Sequence, residues 1–565
     1  MKKIFALIAF GSLLASACTM LDYNEYSGYD KKDVYTSFDR VKASLTNIYA
    51  YIPSAYGTID NAMRAAACDE AVFVNQLSGI HNMNNGGWSP SKTYDTFYNY
   101  YTGIRQVNIF LEETMGQEFD DLKNLEAYDN YMKQFEYYPY EARFLRAYFY
   151  FELMRRYKEV PVITTVLTAE EANKLERNSF DEVVNFIVEE CDVAIANLPE
   201  RYDKLPNSEV GRATKGAAMA LKARTLLYAA SPLFNEDGDK SKWRTAARAA
   251  GAIINKASSY GYVPLPKLSN LWNKNYLQNN ELIFGRMETP SNSFESQNFP
   301  VGINGGGSTG HCPTQNLVDA FETKNGKPVK DTEYSKKDPS YTDEVDSHNP
   351  YSNRDPRLQA TIAVNNSRWA YNEPLEIWEG GLSGKPVRLA TLTGYYLKKY
   401  VDGATSLRTG SVSSKNHVWN YFRYSEVLLN YAEAMVEAYN DYEYKNPPSL
   451  PLSAREAVNL IRKREGVGMP EFDAGMTVAQ FKAKLRNERM VELAFEDHRF
   501  WDIRRWKIAD STSDIYGVKV TKKDDVFTYE RFLVESRVWD DKMYLYPIPD
   551  SELNKNPLLG QNPDW

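Results

Sequence analysis

Tyr140-Glu141-Ala142-Arg143-Phe144-Leu145-Arg146-Ala147-Tyr148-Phe149-Tyr150-Phe151-Glu152-Leu153 mixes small and aromatic residues at helical spacing. Leu145, Tyr148 and Phe149 fall on one face, which predicts a long packed helix that stops before Pro161. The stretches on either side repeat the theme. Helices are expected at about 34–49 and 94–114, and another from Ser179 to about Asn197. Ser179 followed by Glu182 is the pattern of a capping box. Gly211 to Ala230 is Ala-rich, and small side chains let helices approach closely, so a partner helix over about Lys242 to Ala257 follows. A second such pair is expected at Tyr421 to Tyr439 and Ser453 to Glu465. In its first member Tyr424, Leu428, Tyr431 and Met435 recur at steps of four, three and four.

Paired helices of this kind look like tetratricopeptide-type repeats, without a clean period of about 34 residues. The expected fold is mainly α, a scaffold of tetratricopeptide-like helix pairs over about 34–259 and 420–510. Residues 52–95 read as loop-rich, with Asn84-Asn85-Gly86-Gly87-Trp88-Ser89-Pro90 as a turn cluster. Residues 260–419 are rich in Gly, Pro, Asn and Ser, with short β-like runs at Leu282-Ile283-Phe284 and Tyr395-Tyr396-Leu397. They predict loops and short strands laid on the helices within one body, 34–565. Loops held on a rigid scaffold are where binding residues concentrate.

The chain has 565 residues, 43% hydrophobic and 25% charged, an ordinary globular composition. Its net charge of −8 argues against a nucleic-acid partner. Lys2 and Lys3, the apolar run Ile4 to Leu14 and then Ala15-Ser16-Ala17 read as a secretory signal over residues 1–17. Cys18 at the junction resembles the lipid-accepting cysteine of a bacterial lipobox. Leu14 lies four positions before it, with Ala15 at three, so ordinary cleavage near Ala17 stays open. The apolar run is shorter than the roughly 20 residues that span a bilayer. A lipid on Cys18, with residues 18–33 as a polar tether, would hold the mature protein on a membrane and not in it. Cys68, Cys191 and Cys312 cannot all pair with one another and show no disulfide spacing, so buried free thiols are expected.

Signatures of chemistry are weak. His81, His311, His348, His417 and His498 are scattered without zinc-ligand spacing. Asn235-x-Asp237-x-Asp239 begins like a calcium loop, but Lys240 and Ala246 stand where Gly and Glu are needed. Gly380 to Lys385 is one residue short of a phosphate loop and runs into Pro386. Gly302-Ile303-Asn304-Gly305-Gly306-Gly307 reads as a loop of closely approaching backbone. No catalytic residue, metal site or cofactor is singled out. The densest charge run is Asn487-Glu488-Arg489-Met490-Val491-Glu492-Leu493-Ala494-Phe495-Glu496-Asp497-His498-Arg499-Phe500-Trp501-Asp502-Ile503-Arg504-Arg505-Trp506. It reads as a structural helix with Arg489/Glu492 and Glu496/Arg499 as i,i+3 pairs. Met490, Leu493, Ala494 and Trp501 form its apolar face.

That run resembles the late signature of the SusD/RagB family, outer-membrane nutrient-binding lipoproteins of Bacteroidetes-type bacteria. Further blocks occur in the family's order: 141–162, Gly211-Arg212-Ala213-Thr214-Lys215-Gly216-Ala217, Pro313 to Phe321, Asn353-Arg354-Asp355-Pro356-Arg357, Phe422 to Leu429, and Tyr546-Pro547-Ile548-Pro549 with Gln561-Asn562-Pro563. The resemblance implies four tetratricopeptide-like helix pairs and a more irregular ligand-binding part. It also implies a SusC-like TonB-dependent transporter as partner, a glycan or peptide ligand, and no catalysis.

A sugar ring presents an apolar face and a rim of hydroxyls, so its site needs exposed aromatics beside polar side chains. Three loops supply them: Asp69 to Trp88 with Asn75, Gln76, Asn84 and Asn85; Phe294 to His311 with Asn298, Phe299 and Asn304; and Arg368-Trp369-Ala370-Tyr371 on to Trp378. The candidate ligand residues are Asp69, Asn85, Trp88, Phe299, Asn304, Trp369, Tyr371 and Trp378. Trp88 has an equal packing reading, Asp69 could cap a helix, and Arg354 and Arg357 read as structural ion-pair formers. The expected function is oligosaccharide capture for delivery to the transporter. Alternatives are peptide capture, a glycoside hydrolase with two carboxylates about 5–10 Å apart, and a repeat scaffold that binds only protein.

Overall fold

The computed structural model describes residues 31–94, 97–205, 209–268, 279–330, 332–337 and 339–565. The expected leader over residues 1–17, Cys18 and the expected tether up to residue 30 lie outside the described residues. Ten helices carry the architecture: α1 (Phe38–Tyr49), α2 (Phe97–Thr114), α3 (Tyr138–Tyr157), α4 (Phe180–Asn197), α5 (Lys215–Ala230), α6 (Lys240–Tyr260), α7 (Tyr424–Tyr439), α8 (Ala454–Arg462), α9 (Val478–Glu492) and α10 (Arg499–Arg505). From α2 to α8 each packs on the next, so the protein is mainly helical with a stacked-pair scaffold, as the sequence predicts. The stack is not interrupted by residues 261–423. Helix α6 lies directly on α7, and the described residues between them are laid outside the stack.

Local chemistry explains the boundaries. Ser179 and Ser453 each accept from the backbone N–H three residues on, and Glu182 and Glu456 reach back, closing two capping boxes. Helix α5 carries Ala at Ala217, Ala218, Ala220 and Ala223, all buried between α4 and α6. At Gly251 of α6 an added Cβ would stand 2.8 Å from the Ser449 carbonyl, so only Gly permits that approach. Helix α3 is buried on every side and not along one stripe alone. Its charges survive there because they are paired: Arg146 with Glu190, and Glu152 with Arg155 and Arg156.

Strands pair only two at a time among the described residues. Apart from a minimal hairpin of Thr58–Ile59 with Ala62–Met63, they are β1 (Ala71–Phe73) with β3 (His311–Pro313), β2 (Leu282–Met287) with β6 (Val418–Arg423), β4 (Ile362–Ala363) with β5 (Tyr396–Leu397), and a hairpin of β7 (Asp514–Lys523) and β8 (Val526–Ser536). Strand β6 corrects the expected helix start at Tyr421. Residues 418–423 hydrogen-bond to β2, so α7 begins at Tyr424.

The dense charge run is also corrected. It is not one helix. The chain breaks between α9 and α10, with Phe495 and Asp497 at φ 59° and 63°. The expected i,i+3 pairs do not form; Arg489 pairs with Asp502, and Arg499 with Asp69. Cys68, Cys191 and Cys312 are free and buried.

Candidate functional site

Residues that resemble acid–base machinery gather in the core instead. Among the described residues, six carboxylates (Glu281, Glu322, Asp355, Glu488, Glu492, Glu496) and six cations (Arg357, Lys399, Arg423, Arg462, Arg464, Lys484) form one connected, fully buried ion-pair network. Arg423 alone meets Glu281 at 2.6 Å, Glu492 at 2.8 Å and Glu496 at 2.7 Å. Burial pushes the Glu488 carboxyl up, but Arg357 and Arg462 together outweigh it and hold it at about 2. Arg357 joins the network as expected, whereas Arg354 donates to the carbonyls of Val318, Pro350 and Phe321 and takes no acid partner in these bonds.

This network anchors the roots of the surface loops. Arg357 sits in the helix Pro356–Thr361, which leads through β4 into the loop bearing Trp369. Lys399 precedes the loop bearing Arg408. Between them Glu295, wholly buried, accepts from the Asp402 backbone N–H at 3.0 Å and meets His417 Nε2 at 3.0 Å. Glu295 lies on the helix Ser293–Asn298, whose next residue is Phe299.

Phe299 is the floor of the group that these loops assemble. Trp369 meets it edge-on, with ring centres 5.6 Å apart, and Tyr371 does so at 6.1 Å. Arg408 lies over the Tyr371 ring, 4.0 Å from its centre, and donates to Glu373 at 2.9 Å and to the Asn304 carbonyl at 3.3 Å. The Tyr371 hydroxyl accepts from the Leu407 backbone N–H at 2.8 Å. Tyr371 and Asn372 both have left-handed backbone, φ 54° and 58°, which turns the loop back on itself. Gly305 is required beside them. Its φ is 87°, and a Cβ there would stand 2.8 Å from Arg408 Cγ. The result is a half-buried Trp369 ring next to an exposed Asn304 and the half-buried Glu373, with Arg408 capping the neighbouring ring.

The remaining candidate residues lie elsewhere. Trp88 is only 4% exposed and packs edge-on against Tyr546 and Trp565, with ring centres at 4.7 and 5.0 Å. This removes it from the exposed platforms and favours its packing reading. Asp69 caps no helix; it is buried in a two-pronged pair with Arg499 at 2.8 and 2.7 Å. Phe299 is wholly buried and supports rings instead of offering a face. Asn85 is exposed at its turn, where its side chain accepts from the Gly87 N–H at 2.9 Å. Trp378 packs on Phe527 of the hairpin, with Lys522 5.0 Å from its ring centre. The structure therefore joins Phe299, Asn304, Trp369 and Tyr371. It adds Arg408 and Glu373, which no sequence signal marks, since both act through residues far along the chain.

Residues 270–565 match the family model described as the SusD family, and residues 20–227 match one described as starch-binding, associating with the outer membrane. The chain belongs to the SusD family. A SusD-like protein of Bacteroides fragilis is 26% identical in sequence and superposes with a TM-score of 0.77, covering 95% of this chain and 99% of that one. A SusD-like carbohydrate-binding protein of the same species is 25% identical, with a TM-score of 0.74 over 93% and 99%. SusD-like protein P25 of Formosa agariphila is 23% identical over 93% of this chain and 91% of its own length. At the level of the family, the matches support carbohydrate binding in association with the outer membrane. No helix among the described residues is long and apolar enough to cross a membrane.

Proposed function

We propose that this protein captures an oligosaccharide at the cell surface and delivers it to a SusC-like TonB-dependent transporter, held to the outer membrane by a lipid on Cys18. The observation that carries the reading is the half-buried Trp369 ring, braced by Phe299 and flanked by Asn304, Glu373 and Arg408. An indole face stacks on the C–H face of a sugar ring, and the polar rim meets its hydroxyls. Capture of this kind breaks no bond.

The test is affinity electrophoresis of the chain lacking residues 1–18 through gels containing a panel of polysaccharides, with Trp369→Ala and Trp378→Ala alongside. Retardation by one polysaccharide that is lost in a folded Trp369→Ala variant is the expected result. Retardation unaffected by Trp369→Ala would move the site elsewhere, and cleavage of a glycan at enzyme-like rates would overturn the reading.

A further inference from the structure

A second concavity lies away from the Trp369 loops, where α9, the helix Gln315–Ala320 and the β7–β8 hairpin meet around a cavity of about 250 Å³. Ala483, Arg486, Asn487 and Met490 line it from α9 at steps of three, one and three, one helical face. Asp514 and Tyr516 alternate into it from β7. Asp69 and Arg499 lie at its buried end.

Its charges are unevenly satisfied. Asp69 is taken by Arg499, Asp319 by Arg531 and Gln315, and Asp514 accepts from the Ser536 hydroxyl. Two of the three described acids in the lining are ion-paired, and Asp514, held by a neutral hydroxyl, offsets one unpaired cation. Two cations in the same lining, Arg486 and Lys336, have no carboxylate within ion-pair distance among the described residues. The Arg486 guanidinium rests 4.9 Å from the centre of the Trp506 ring, at the border between this cavity and a shallow depression that Glu433 and Glu437 of α7 also line, and the ring fixes its plane. This local excess of positive charge stands in a chain of net charge −8. Beside it are hydrogen-bond acceptors. The Ser511 and Thr512 hydroxyls donate to the Ile508 and Ala509 carbonyls, which leaves their lone pairs for donors on a ligand.

We propose that this pocket is a second binding site, for a polyhydroxylated anion the size of a single hexuronate unit. The carboxylate pairs with Arg486, which offers two parallel N–H donors, and Lys336 adds its charge at the mouth. The ring hydroxyls donate to the Ser511 and Thr512 oxygens and to Asp514. A bare oxyanion would use the cations and leave these acceptors empty. A neutral sugar would leave both cations unpaired. The site is independent of the Trp369 loops and stands whether or not the oligosaccharide reading above holds.

Isothermal titration of the purified chain with sodium glucuronate, glucose and sodium sulfate at matched ionic strength tests this, using the wild type, Arg486→Gln, Lys336→Gln and Trp369→Ala. Glucuronate is expected to bind the wild type, with glucose and sulfate each at least about tenfold weaker. Arg486→Gln should weaken glucuronate by at least about tenfold, the worth of one charge-assisted pair. Lys336→Gln should weaken it about two- to fivefold, an effect that fades as salt screens the exposed amine. Trp369→Ala should leave it unchanged. The proposal is overturned if the wild type fails to bind glucuronate, if sulfate binds as tightly, if Arg486→Gln binds like wild type while melting normally, or if Trp369→Ala abolishes binding. Should Arg486→Gln unfold, the surface variant Lys336→Gln carries the same decision through its salt-sensitive loss.

Discussion

The ion-pair network and the Trp369 loop group are built from the same kinds of residue and behave in opposite ways. In the network the buried Arg423 meets three carboxylates directly, and six positive and six negative groups balance. In the loops Arg408 shares one carboxylate, Glu373, and both side chains are more than a third exposed. Burial decides the difference. A charge removed from water has to be fully matched, so the network has no capacity left for a ligand. At the surface, partial matching is tolerated, and ring edges and polar atoms remain available. Acid-rich clusters with a histidine nearby invite a catalytic reading, but here that pattern marks the frame, and the sparser group marks the candidate site.

Breaking the frame should produce the largest effect. Arg423→Met leaves three buried carboxylates short of a cation and is expected to destabilise the fold by about 3–5 kcal/mol, measured by urea unfolding. A normal unfolding midpoint for this variant would erase the contrast drawn above. Next comes Trp88→Ala, which empties a packed corner between Tyr546 and Trp565 and should cost about 3 kcal/mol of stability without altering ligand affinity in the folded fraction. Trp369→Ala should do the reverse, with a stability change under about 1 kcal/mol and an affinity loss of about 2 kcal/mol, or thirtyfold in Kd.

Acid sharpens the same comparison. The folded Glu488 carboxyl lies at about 2, while an unfolded one titrates near about 4.3. As pH falls the unfolded chain therefore takes up the proton first. The contribution is intact above about pH 4.3 and is lost as the pH falls through about 2. Urea midpoints at pH 6, 5, 4 and 3 should hold across the first two and drop across the last two; an equal drop between pH 6 and 5 would assign the loss to other groups. The smallest effect is Arg408→Gln, about 0.5–1 kcal/mol in affinity through loss of the cation over Tyr371, read by the same binding measurement.

Much of the frame is legible along the chain because its causes are local. Ser179 with Glu182 and the alanines of α5 each announce a helix within a few residues of themselves. What stays hidden depends on partners far away. Residues 421–423 look helical until β2 offers them a ladder more than 130 residues upstream. Trp88 and Trp369 are the same residue in similar Asn-rich surroundings. The C-terminal Tyr546 and Trp565 pack on the first, and Phe299 props up the second. Glu496 and Arg499 sit where a continuous helix would pair them locally, and the left-handed backbone at Phe495 and Asp497 turns them to Arg423 and Asp69 instead. Arg489 and Glu492 share the unbroken α9, yet distant Asp502 and Arg423 claim them.

The reach of Arg423 also dictates an order of assembly. Its acids come from position 281, long before it, and from 492 and 496, long after. As the chain emerges from its N-terminus, Glu281, Arg357 and Arg423 stay hydrated until the last quarter arrives, because burying them earlier strands unpaired charge. Helices α3 to α6 can stack first, while the middle of the molecule waits. The network is thus a late-closing clasp, which locks only after the trailing end of the chain is in place.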